Sequence, residues 1–179
     1  MLARALLPAM AFTARAQQSD PTTLERRVKA AFLYKFVGYI AWPESGFARP
    51  DTPVAIGVLG DELLAGELAE VVAGRTMDGR PLTVKLVRDA SSLPGIHLLF
   101  VARSETARLG ALARASNGQP LLLVSETEGA LDQGSAINFV VNGGRVKFDI
   151  APDAAEKRGV KLSSRLLTVA QNVRAVTVQ

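Results

Sequence analysis

The chain contains no cysteine. Disulfides, thiolate nucleophiles, sulfur-ligated metals and thiol redox sensing are therefore closed to it, and packing alone must hold the fold. Histidine occurs once, at His97, too few for a histidine-rich metal site. In the apolar run "IHLLFVAR" it reads as a structural imidazole. No stretch concentrates lysine and arginine as a nucleic-acid face requires. Long apolar runs are missing as well. The greasiest segment, "VKAAFLYKFVGYIAWPE" (Val28 to Glu44), is interrupted by Lys29 and Lys35, whereas a membrane span needs roughly 20 apolar residues. The motifs G-x-S-x-G, G-x-G-x-x-G and the Walker loop are absent, so neither a serine elbow nor a nucleotide cradle is supported.

What is present suits one packed domain. Of 179 residues, 48% are hydrophobic and 21% charged, enough to bury a core without any sign of disorder. The first sixteen residues stand apart. Arg4, the apolar "ALLPAMAFTA" and the small residues of Ala14-Arg15-Ala16 have the form of a secretory signal cleaved near Ala16, leaving residues 17–179 as a single domain. Cleavage removes Arg4 and Arg15 from the 21 basic residues, so 19 face 17 acidic ones. An exported location, the periplasm, is the expectation.

Thr22 followed by Glu25 predicts a capping box at the start of a helix. Val28, Phe32, Phe36 and Ile40, with Leu33 and Val37 beside them, form an apolar stripe at helical spacing. Pro43 closes that helix at Trp42. Two readings are open: a core helix with Lys29 and Lys35 reaching out to solvent, or an aromatic docking face that uses Tyr34, Tyr39 and Trp42. "VAIGVLG", with Asp61 capping "ELLAGELAEVVAG", is a strand, turn and helix. "LTVKLV" and "IHLLFVAR" are strands, Ser104 caps a further helix, and "PLLLVSE" is a strand. "AINFVVNGGRVKFDI" is a hairpin about Asn142-Gly143-Gly144. Pro152 opens a helix that Gly159 ends, and Ser163 caps the last one. The expected fold is α/β in three layers: a mixed, mostly parallel sheet of about six strands with a C-terminal antiparallel hairpin, and about five helices on both faces. Glu126, Glu128 and Asp132 read as solvated loop acids, since their spacing matches no calcium loop.

Several stretches then carry a resemblance: "VKAAFLYKFVGYIAWPE", "IGVLGDELL", "IHLLFVARSE", "LLLVSETEG", "INFVVNGGRVKFDI" and "AAEKRGVKLSSRLL". In order and spacing, from about Val28 to Ala170, the chain resembles the YfiR-like periplasmic family. The specific parts are its two ends, the lysine-aromatic helix running into Trp-Pro and the late "GVKLSSRLL". The resemblance implies a binding protein without catalytic residues, metal or cofactor. Such a protein represses or tunes a membrane-bound diguanylate cyclase, and so cyclic-di-GMP signalling and biofilm, through contact with the cyclase's periplasmic sensor. A kinase is an alternative partner, an outer-membrane lipoprotein a further one, and a homodimer is implied as well. Ile96 stands where relatives often carry a cysteine, so their redox behaviour does not transfer. The residues expected at the partner surface are Phe148, Glu156, Lys161 and Leu162, an apolar anchor among charges. A second expectation is a small-molecule crevice near Tyr34 and Trp42, read out by the single tryptophan.

Overall fold

The computed structural model describes residues 20–174; the expected signal segment lies outside them. An eight-stranded sheet runs β10-β8-β7-β6-β5-β2-β4-β3. Its long members are β2 (Val54–Leu59), β4 (Arg80–Leu86), β5 (Leu98–Val101), β6 (Leu122–Ser125), β7 (Ile137–Asn142) and β8 (Arg145–Ile150), and the two-residue strands β3 (Thr76–Met77) and β10 (Asn172–Val173) form its edges. β4, β2, β5, β6 and β7 are parallel neighbours. β7 and β8 are an antiparallel hairpin in the register Phe139↔Phe148. Gly143 and Gly144 turn it at φ +57° and +70°, backbone that only glycine adopts without cost. The mixed, mostly parallel sheet with a late hairpin is the expected α/β fold. Short edge strands escaped the sequence because two residues leave no alternation to read.

Helices cover both faces. On one lie α1 (Pro21–Val37), α2 (Glu62–Val72), α4 (Pro152–Glu156) and α5 (Ser164–Val169); α3 (Leu109–Ala115) covers the other. The first core joins Leu33, Phe36, Leu64 and Leu68 to Ile56, Phe100, Phe139 and Phe148. The second joins Leu109 and Leu112 to Ala55, Leu99 and Leu123. Alternate residues of each central strand thus point into different cores, which is why these strands read as unbroken apolar runs. Gly57 faces the second core. A Cβ there would lie 2.9 Å from Val87 and 3.0 Å from Ile96, so only glycine lets that layer close over β2.

Local signals fared unevenly. Asp61 caps α2 by accepting from the Leu64 amide at 2.9 Å, and Ser163 caps α5 from Arg165 at 3.3 Å, both as expected. The capping box is corrected: Asp20 is the N-cap of α1, with Pro21 in its first turn, while Glu25 turns to Lys29. Ser104 caps nothing. Its hydroxyl donates to the Gly60 carbonyl at 3.2 Å, and α3 starts only at Leu109, after a 3-10 stretch. Nor does α1 continue to Trp42. It stops at Val37, because Ile40 and Ala41 leave as strand β1 (Ile40–Ala41) to pair with β9 (Lys161–Leu162). The buried side of α1 is Lys29, Ala30, Leu33, Phe36 and Val37, rotated away from Val28 and Phe32, which stay half-buried.

Candidate functional site

The two ends of the chain that carry the resemblance meet in space. β1, directly after α1, pairs antiparallel with β9 in the register Ile40↔Leu162 and Ala41↔Lys161. The ribbon is extended when the Ser163 amide donates to the Tyr39 carbonyl at 2.8 Å. Segments some 120 residues apart in the chain therefore share one two-stranded ribbon outside the main sheet. It presents Tyr39, Ala41 and Lys161 to solvent, and Glu156 is exposed at the end of the neighbouring α4. Leu162 is half-buried against the first core. Phe148 is 2% exposed. Its ring meets Phe36 edge-on at 4.9 Å and Phe32 at 5.5 Å, so it packs in the first core against α1 and presents no ring to the surface.

Behind the ribbon, His97 holds the following loop. Its Nδ1 accepts from the Ala55 amide at 3.1 Å and its Nε2–H donates to the Gly46 carbonyl at 3.0 Å. The ring stacks on Phe47 at 4.5 Å, and the Arg80 guanidinium covers the far side of Phe47 at 3.8 Å. Burial is the main reason its pKa lies below the usual histidine value, with the cations of Arg80 and Lys85 adding to it and the Gly46 bond working against it. This imidazole is neutral and fully committed, the structural role its strand context suggested. Trp42 donates its indole N–H to the His97 carbonyl at 3.1 Å, and Tyr34 accepts from Arg75 at 3.2 Å while lying beneath its guanidinium. The cavity beside Trp42 measures about 200 Å³, below the roughly 300–1,000 Å³ usual for small-molecule sites.

In open α/β sheets, ligands favour the crevice where the chain order reverses. Here that point lies between β2 and β5, whose following loops lead to helices on opposite faces. The polar crevice there, about 430 Å³, is lined by charges that pair with one another. Lys29 bonds both Glu25 and Glu126, the Arg103 amide donates to Glu126 at 3.0 Å, and Arg26 approaches Asp61 at 3.6 Å. Burial works to lower the Lys29 pKa, but its two carboxylate partners outweigh that and raise it. Two expectations are thereby corrected. Lys29, 8% exposed, does not reach out to solvent, and Glu126 is not a solvated loop acid. The signal was available: Glu25 and Lys29 are spaced i,i+4, and Lys29 shares a helix face with the buried Leu33. Asp132 pairs separately with Arg174 at 2.9 Å. Among the described residues no group of three or more potential ligands could hold a metal ion, and no helix is long and apolar enough to cross a membrane.

Comparison with known proteins decides the family. Residues 26–171 match the model of DUF4154, YfiR/HmsC-like, a span that includes both strands of the ribbon. The chain belongs to the YfiR/HmsC-like family. The family is a regulatory one, known for controlling diguanylate cyclase, and it is periplasmic. No curated protein matches the chain. Among solved structures it is similar in fold to a conserved domain protein from Vibrio cholerae O1 biovar El Tor, with a TM-score of 0.57, 10% identity and 83% of this chain covered. The chain spans 60% of the length of that protein.

Proposed function

We propose that this chain is a periplasmic regulatory binding protein that lowers the output of a membrane-bound diguanylate cyclase by gripping its sensor region, after removal of residues 1–16 and as a single domain over 17–179. The observation that carries the reading is the ribbon: the two most family-specific segments pair with each other and expose charged and aromatic groups at one place. Tyr39 and part of Leu162 supply apolar contact, and Glu156 and Lys161 supply a charged rim. His97 holds the segment that follows β1 through Trp42 and Gly46. Regulation then follows from differential affinity. A repressor that binds the inactive sensor more tightly by about 1.4 kcal/mol shifts the active-to-inactive ratio tenfold.

The test is binding of the purified protein to the isolated sensor region of a membrane cyclase encoded beside it, measured by surface plasmon resonance. Charge reversal of the exposed pair, Glu156→Lys with Lys161→Glu, is expected to abolish binding while leaving Tm within about 2 °C, since surface changes of this kind alter stability by about 0.5 kcal/mol or less. Unchanged binding by the double variant counts against the ribbon.

A further inference from the structure

A second surface lies at the other end of α1. Between its first turns and the tip of the β7–β8 hairpin runs an open groove of about 490 Å³. Val28, Phe32 and Val146 are half-buried within it. Leu24 and Val141, 56% and 51% exposed, form its two walls. Leu24, Val28 and Phe32 repeat every fourth residue, so they line one side as a continuous apolar ridge along the helix. This face is where α1 and the sheet part without filling the space between them. Two charged residues line it. Glu25 is committed to Lys29. Arg145 makes no ion pair and no side-chain hydrogen bond among the described residues. The groove is therefore an apolar trough with one uncompensated charge at its mouth, and that charge is a cation with a planar fork suited to carboxylate.

We propose that this groove binds one single-chain anionic amphiphile, a medium-chain acyl carboxylate, with the chain along Leu24, Val28 and Phe32 and the head group on Arg145. The volume lies within the usual range for small ligands, and burial of each methylene of the chain adds to the driving force. A concave trough of this volume accommodates a single chain. The proposal is independent of the ribbon, which begins beyond Val37, about 20 Å along α1 from Leu24.

The experiment titrates the full mature protein with decanoate, decyltrimethylammonium or decanol below their micelle concentrations. Methyl NMR of Val28, Val141 and Val146 locates the binding, and calorimetry measures it. Decanoate is expected to bind once per chain, to shift those methyls, and to bind at least about tenfold more tightly than the cationic amphiphile, in line with a charge-assisted hydrogen bond at the head group. Arg145→Gln is expected to abolish that discrimination. Val141→Glu, at an exposed wall, is expected to weaken decanoate by a similar factor with Tm unchanged. Equal affinity for all three probes, or full decanoate binding by either variant, overturns the proposal. So do shifts confined to other methyls, binding only to phosphatidylglycerol vesicles, or methyl shifts that track self-association without ligand.

Discussion

Removing the lysine at the centre of the crevice is the sharpest perturbation the fold allows. Lys29→Met keeps the length and apolar stem of the side chain but takes away the ammonium. The side chains of Lys29 and Glu126 are only 10% and 12% exposed, so the change strands a buried carboxylate. Breaking a buried pair costs about 3–5 kcal/mol when nothing else compensates. Glu126 retains the Arg103 amide at 3.0 Å, and Glu25, at 36% exposure, can turn to water. The expected loss is therefore toward the lower end, about 3 kcal/mol at neutral pH, or roughly 6–12 °C in Tm for a domain of this size. Urea denaturation followed by far-UV circular dichroism measures it. The stranded carboxylate identifies itself in a double variant: adding Glu126→Gln to Lys29→Met restores at least about 1.5 kcal/mol. A lysine pKa raised above its ordinary 10.5 contributes stability that is complete below that pH and is lost as pH rises through the folded value. A loss under about 1 kcal/mol, or no recovery in the double variant, would show that the triad is screened by solvent.

His97 should make the protein acid-sensitive: with its folded pKa held below 6.5, its contribution is complete above that pH and is lost as pH falls below it, so native stability drops between pH 7 and 5 while His97→Gln flattens that slope. Phe148→Ala should cost about 3–5 kcal/mol by leaving a cavity in the first core beside α1, read as a fall in urea midpoint; a near-neutral result would mean the ring is not core. Gly57→Ala should cost about 1–3 kcal/mol by overpacking the second core, and a stabilised variant in thermal melts would refute the close approach to Val87 and Ile96.

The long strands and the hairpin were legible because their side-chain periods are unambiguous: Ile137, Phe139 and Val141 alternate, and the glycine pair that follows permits one kind of turn. Asp61 and Ser163 were legible as caps because each precedes a helical pattern directly. What failed was tertiary. Ile40 and Ala41 continue an apolar helical stripe, yet pairing with Lys161 and Leu162 draws them into a strand, and no local signal registers a partner 120 residues away. Lys29 was misplaced for the same reason: its burial depends on Glu126, supplied by a loop after β6. Of the expected partner residues, Glu156 and Lys161 lie on the surface as their charge suggests, whereas the aromatic character that made Phe148 attractive as an anchor is what holds it in the core.

The central claim is that docking through the ribbon lowers the activity of a membrane enzyme. The most direct measurement is cyclic-di-GMP synthesis by the full-length cyclase in proteoliposomes, with the protein added on the sensor side. Synthesis is predicted to fall with the native chain and to be untouched by the Glu156→Lys, Lys161→Glu variant. Unaltered synthesis with the native chain, or equal inhibition by the variant, would contradict it.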